Sequence, residues 1–245
     1  SYSGITERLA LLSNHFEEKF IQKIIRQNNP YSLKPLVLPE DNPFVYIKKE
    51  YVTFIILALF VLNTDEANNL LSLLGIDING CTTTITLKKP GWAKNSKKEN
   101  NQGMIWGMSG KIARDLLDGL NQVAENKNKG GKKEPDKLKY ELYGSPNVQD
   151  LFAGYYELSP SQVVLFLNTL LCDELLDSID ITWNKTFSLY NLSEGEKQMI
   201  LSIGLSLVLN QSDLLFLLDE PDVSLHPKWQ QDFITNFTNG LNNES

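Results

Sequence analysis

Apolar and polar positions alternate along the chain in several distinct rhythms. From Thr6 to Gln27, Leu9, Leu12, Phe16, Phe20, Ile24 and Ile25 recur at helical spacing with charges between them, which predicts an amphipathic helix. Pro30, Pro35, Pro39 and Pro43 then interrupt regular helix. An apolar run from Val52 to Leu62, broken only by Thr53, predicts a second helix over about Lys49 to Leu62. It is about half the length needed to cross a bilayer, so it is expected to be a buried helix and not a membrane anchor. Thr64 is placed to cap a third helix ending near Gly75. Cys81 to Leu87, rich in Thr and Ile, predicts a strand, as does Leu138 to Tyr143. A helix is expected near Val148 to Tyr156, and Ser159 with Pro160 should start another that ends about Leu176. Ile179 to Trp183 predicts a further strand.

Composition changes this picture in one region. Between Lys88 and Lys133, eleven basic residues stand against Glu99, Asp115, Asp118 and Glu125, a balance of +7 that leaves -14 for the rest of a chain whose net charge is -7. Trp92 and Trp106 lie inside it, and aromatics among cations suit a surface that tracks a nucleic-acid backbone. The alternative is a solvated insertion, since Asn126 to Asp136 is flexible by composition. The acidic overall balance does not attract polyanions, so nucleic acid would need this local patch. Cys81 and Cys172 have no Cys/His cluster near either, which excludes a disulfide scaffold and a zinc finger, and fits a reducing cytoplasm with both thiols used in packing. No signal peptide opens the chain, and residue 1 is Ser, so a start that is trimmed or incompletely represented is expected.

The candidate chemistry lies further on. In Leu192, Ser193, Glu194, Gly195, Glu196, Lys197, Gln198, Ser193 and Glu196 match a capping box, and Met199, Ile200, Ile203, Leu207 and Val208 continue a buried face. A helix start offers unpaired N-H groups and a positive dipole end, and here a hydroxyl and a glycine besides, which suits a phosphate. Later, Leu214 to Leu218 are five large apolar residues in a row, as in a strand buried on both faces, followed by Asp219, Glu220 and Pro221. Along a strand the two carboxylates point to opposite sides. One can hold a Mg2+ hydration shell while the other orients or deprotonates a water. The plainer alternative is an acidic strand end before a turn.

Together, Leu-Ser-Glu-Gly-Glu-Lys-Gln, an apolar helix, five apolar residues and Asp-Glu-Pro resemble the signature motif and Walker B strand of ABC-type ATPases, the SMC, RecF and OLD-like group among them. The resemblance covers Tyr190 to about Phe237. It implies an α/β fold, part of an ABC-type P-loop ATPase head with a large helical and irregular insertion. It implies that Asp219 supports Mg2+, that Glu220 is the catalytic glutamate, and that Ser193, Glu194 and Gly195 meet the γ-phosphate of ATP held by the opposite protomer of a head-to-head dimer. The turn Asp222, Val223, Ser224, Leu225, His226, Pro227 resembles the D-loops of repair and phage-defence ATPases more than those of transporter motors. Tyr2 to Leu9 and Pro43 to Tyr51 resemble, more loosely, ATPases paired with nucleases in Septu-type and retron defence systems, which implies a nuclease effector as partner. His226 is expected to cap a helix or belong to the D-loop, and His15 to be structural.

No G-x-x-x-x-G-K-[ST] phosphate loop occurs in the sequence. The expectation is therefore the second part of an ATPase head, or a subunit that lends its signature face to a partner. The domain reading has three parts: residues 1–80 as a helical middle region, 81–145 as a basic insertion, and 146–245 as the lobe carrying the signature helix and Walker B. The rivals to a cytoplasmic repair or defence ATPase are a non-hydrolysing scaffold and a transporter motor.

Overall fold

The computed structural model describes residues 51–89, 106, 111–127, 136–172, 174–184, 187–209 and 225–242. The helix expected over Thr6 to Gln27, the proline-rich stretch after it, Trp92, the apolar run Leu214 to Leu218, and Asp219 and Glu220 lie outside them.

The centre of the described fold is α1 (Tyr51–Leu62). Val52, Thr53, Ile55, Ile56 and Val61 are β-branched and favour helix weakly, so burial decides the matter. All residues from Phe54 to Phe60 are buried, on every side of the helix. Asn63, with φ 49°, ends α1 in the left-handed region that a short polar side chain tolerates. Thr64 then caps α2 (Asp65–Leu73), its Oγ1 accepting from the Ala67 amide at 3.4 Å. The helix closes with paired bonds from Gly75 N to Ser72 O and Ile76 N to Leu71 O, both 2.9 Å, with Gly75 at φ 69°.

Five strands form one antiparallel sheet in the order β2, β3, β1, β4, β5: β1 (Thr82–Lys88), β2 (Asn126–Lys127), β3 (Lys137–Tyr143), β4 (Leu176–Trp183) and β5 (Phe187–Ser188). The register puts Leu142, Thr83 and Ile181 in one row, with Tyr140, Ile85 and Ile179 in the next. These rows form the inner face. Glu141, Thr84 and Asp180 lie on the other, so the period-2 pattern of β1 and β3 is the amphipathic alternation of a sheet with one covered face. The strand pairing joins residues 82–88 and 137–143 directly to 176–183.

Helix α3 (Lys111–Val123) was not expected from the charge pattern, although Leu116, Leu117, Leu120 and Val123 have helical spacing. Leu116, Leu117 and Leu120 are buried. Next, α4 (Gly144–Gln149) passes without a break into a π-helical turn, Asp150–Tyr155, whose wider spacing is marked by the bond from Tyr156 N to Leu151 O at 3.1 Å. This helix therefore begins earlier than the Val148 expected.

Helix α5 (Pro160–Cys172) starts where Ser159 and Pro160 predicted, but it does not reach Leu176. Glu174 adopts φ 60°, and the bonds from Glu174 N to Leu171 O and Leu175 N to Leu170 O close the helix. Leu175 and Leu176 are then buried at the beginning of β4, and sheet pairing outweighs their helix propensity. Trp106 corrects another expectation. It is 1% exposed and part of the core, so its ring is not available for stacking on a base.

The final elements are α6 (Glu194–Met199), a second π turn (Ile200–Gly204), α7 (Leu205–Val208) and α8 (Pro227–Asn242). The first three form one continuous helix that lies against α1. No described helix is long and apolar enough to cross a membrane.

Candidate functional site

The approach to the site is built from two successive caps. Strand β4 turns back into β5, which leads to a single 3-10 turn at Leu189–Asn191. Ser188 and Asn191 form a capping box around that turn, with the Ser188 amide donating to Asn191 Oδ1 at 2.8 Å. Leu192 is buried and anchors the chain. Ser193 then starts α6 with the capping box predicted from the sequence: the Glu196 amide donates to Ser193 Oγ at 3.3 Å, and the Ser193 amide donates to Glu196 Oε2 at 2.6 Å. The first box was equally legible as Ser-x-x-Asn.

This geometry fixes what the helix start presents. Ser193 and Glu194 are exposed, while Gly195 is buried. The box uses the hydroxyl of Ser193 to hold Glu196, so that hydroxyl already serves the fold. Lys197 Nζ lies 3.3 Å from Glu194 Oε1 and offsets the carboxylate charge of the first turn. Beside this start Tyr190 is 84% exposed and Phe187 53%. Neither aromatic was singled out from the sequence, because exposure of an aromatic is not visible in a periodicity.

Beyond Met199 the helix sinks into the core. Ser202 and Ser206 are buried, and their hydroxyls donate back to Gln198 O at 2.7 Å and Ile203 O at 2.8 Å. Met199, Ile200, Ile203, Leu207 and Val208 are all buried as the sequence predicted, but so are Ser202, Gly204, Leu205 and Ser206. The burial surrounds the helix instead of forming one face.

At the far side Leu225 is buried, and His226 precedes α8. Its Nδ1 accepts from the Lys228 amide at 3.3 Å, and its carbonyl accepts from Trp229 N at 2.7 Å and Gln230 N at 3.1 Å. His226 is thus the capping residue, with Pro227 in the first turn. Ser193, Glu194 and Gly195 come together at one helix start. Asp219 and Glu220 fall outside the described residues. Among the described residues, no group of three or more His, Cys, Asp or Glu side chains gathers to hold a metal ion. Cys81 is buried, and burial pushes its thiol up to about 11, consistent with a packing role.

The comparisons with known proteins bear on the same part of the chain. A family model described as "AAA domain, putative AbiEii toxin, Type IV TA system" matches residues 116–242, from within α3 to the end of α8. No curated protein and no solved structure gives a significant match. The α/β architecture, a small antiparallel sheet with many helices, is consistent with an AAA-type ATPase domain. Such domains are nucleotide-binding ATPases that typically use Mg2+. The match spans just over half of the chain and includes the capped helix start at Ser193, and the chain therefore belongs to this AAA-domain family.

Proposed function

We propose that the protein acts as an ABC-type ATPase head in a cytoplasmic DNA-repair or phage-defence complex, working as a head-to-head dimer. The observation that carries this reading is the helix start at Ser193. It is exposed and rigidly capped, it bears Leu-Ser-Glu-Gly-Glu-Lys-Gln, and it heads a helix whose other turns are core. In this reading Ser193, Glu194 and Gly195 meet the γ-phosphate of ATP bound by the second protomer. Asp219 supports the Mg2+ shell, and Glu220 orients and deprotonates the water that attacks the γ-phosphorus as the bond to the β-γ bridging oxygen breaks. Closure on ATP and opening after hydrolysis would drive a nuclease effector. The basic segment Lys88 to Lys133 would supply contacts to nucleic acid, made by its cations and not by Trp106.

The experiment is Glu220→Gln in the full-length protein. A positioned base contributes about 10² to 10⁴ in rate, so turnover should fall by roughly that factor while Mg-ATP binding persists. Unchanged turnover rejects the assignment of Glu220. A second reading, a non-hydrolysing subunit that completes a partner's ATP site, is favoured by the lack of a phosphate-loop motif in the sequence. It predicts no low-micromolar binding of Mg-ATP by the chain alone in calorimetry.

A further inference from the structure

The helix that begins at Ser193 changes character at one point. In α6 only Gly195 and Met199 are buried, four residues apart on one side, while Glu194 is exposed and Glu196, Lys197 and Gln198 are partly covered. From Ser202 to Val208 every residue is buried. Between the two lies the π turn Ile200–Gly204, in which the Leu205 amide reaches back five residues to Ile200 O. A π turn holds one residue more than an α turn, and π turns of this kind recur at functional positions.

The turn is held from outside the family match. A Cβ added to Gly204 would lie 3.0 Å from Ile55 Cγ2 and 3.3 Å from Leu59 Cδ1, so this glycine lets α1 approach the helix backbone closely. Ile55 and Leu59 are fully buried and precede residue 116, where the match begins. The hydroxyls of Ser202 and Ser206 bond to carbonyls of the helix itself, which satisfies polar groups that would otherwise be costly at this depth.

We infer that the π turn is the register device of this helix: α1 clamps it at Gly204, and the extra residue it holds determines which way Ser193 and Glu194 face. Each residue of an α-helix turns the chain by about 100°. With one residue fewer, every position before the deletion takes the place of the next. Glu194 would occupy the buried place of Gly195. Gly204, Ile55 and Leu59 are positioning residues in this account. The use of the exposed face rests on the reading given under Proposed function, whereas the register itself does not.

The test is peptide-resolved maleimide labelling of the thiol introduced by Glu194→Cys in the full chain, with and without deletion of Leu201. The introduced thiol should label fast in the full-count chain and lose fast labelling in the deletion, provided a cooperative urea transition shows that the deletion folds. If the Leu201 deletion does not fold, deletion of Gln198 turns the helix start by the same step without altering the clamped half, and the same loss is expected. A folded deletion in which the introduced thiol labels as fast as before overturns the inference. ATP-dependent association, followed by light scattering in a Glu220→Gln background, separates the two ideas. If the thiol turns inward and association is lost, both stand. If the thiol turns inward while association survives, the register device stands and the contact of Ser193 with the partner's ATP falls.

Discussion

The helices that follow Thr64 and Ser193 begin with the same local chemistry, a side-chain hydroxyl accepting from a backbone amide three residues on, with two carboxylates in the first turn. Their continuations differ. Helix α2 buries Ala67, Leu70 and Leu71 on one side, stays at the surface, and ends after nine residues in a glycine closure. The helix from Ser193 runs through a π turn into surroundings that are apolar on every side. A cap therefore identifies a helix start but not a site. The start at Ser193 differs in that it couples an exposed tip to the core, and of the two only this helix lies within the family match.

The largest expected effect lies at the core end of this comparison. Leu59 is fully buried on α1 and meets the signature helix near Gly204. Leu59→Ala should cost about 2 to 5 kcal/mol of unfolding free energy, read from the urea midpoint. A value below about 1 kcal/mol would mean that the α1 interface is looser than described. Gly119 of α3 should come next, because a Cβ there would lie 2.6 Å from Tyr155 Cδ1 and from the Tyr156 hydroxyl. Gly119→Ala should cost about 1 to 3 kcal/mol and disturb the bond from that hydroxyl to Leu116 O.

The caps themselves sharpen the contrast. Thr64→Ala and Ser193→Ala should each cost about 1 kcal/mol in stability, but under the proposed function only Ser193→Ala also lowers ATP turnover. Equal turnover in the two variants would reduce Ser193 to a cap.

The smallest effects are those of pH. Burial raises the Cys81 thiol to about 11 and the Tyr140 hydroxyl to about 12. Groups whose pKa is higher when folded contribute stability that is fully present below their unfolded values and lost as pH rises through the folded ones. Unfolding free energy should thus decline above about pH 9, and Cys81→Ala should remove the earlier part of that decline. Asp177 behaves in the opposite sense. The hydrogen bond from Lys137 holds its carboxyl below the usual range, so its contribution is present above about pH 4 and lost as pH falls. It is a surface pair, and Lys137→Ala should flatten the acid limb only slightly.

Short-range chemistry was legible directly from the residues. Thr64, Gly75, Ser159 with Pro160, and the Ser193–Glu196 box each act within about one turn of the chain, and each lies where the sequence placed it. The alternation of β1 and β3 was legible for the same reason, since neighbouring side chains must take opposite faces. Charge pattern proved a poor guide. It concealed α3, whose apolar residues already had helical spacing, and it suggested a stacking role for Trp106, which the core encloses.

The sequence by itself determined the helix starts, the strand faces and the motif at Ser193, because caps, pleats and hydroxyl-amide bonds depend on residues a few positions apart. Only the tertiary structure decided that α5 stops at Cys172, that Trp106 is inside, and that α1 approaches the helix from Ser193 at Gly204. Those outcomes depend on competition between distant segments for the same buried surface. Leu176 is drawn into β4 because Leu87 offers it a partner, and Gly204 matters because Ile55 and Leu59 arrive from more than a hundred residues away.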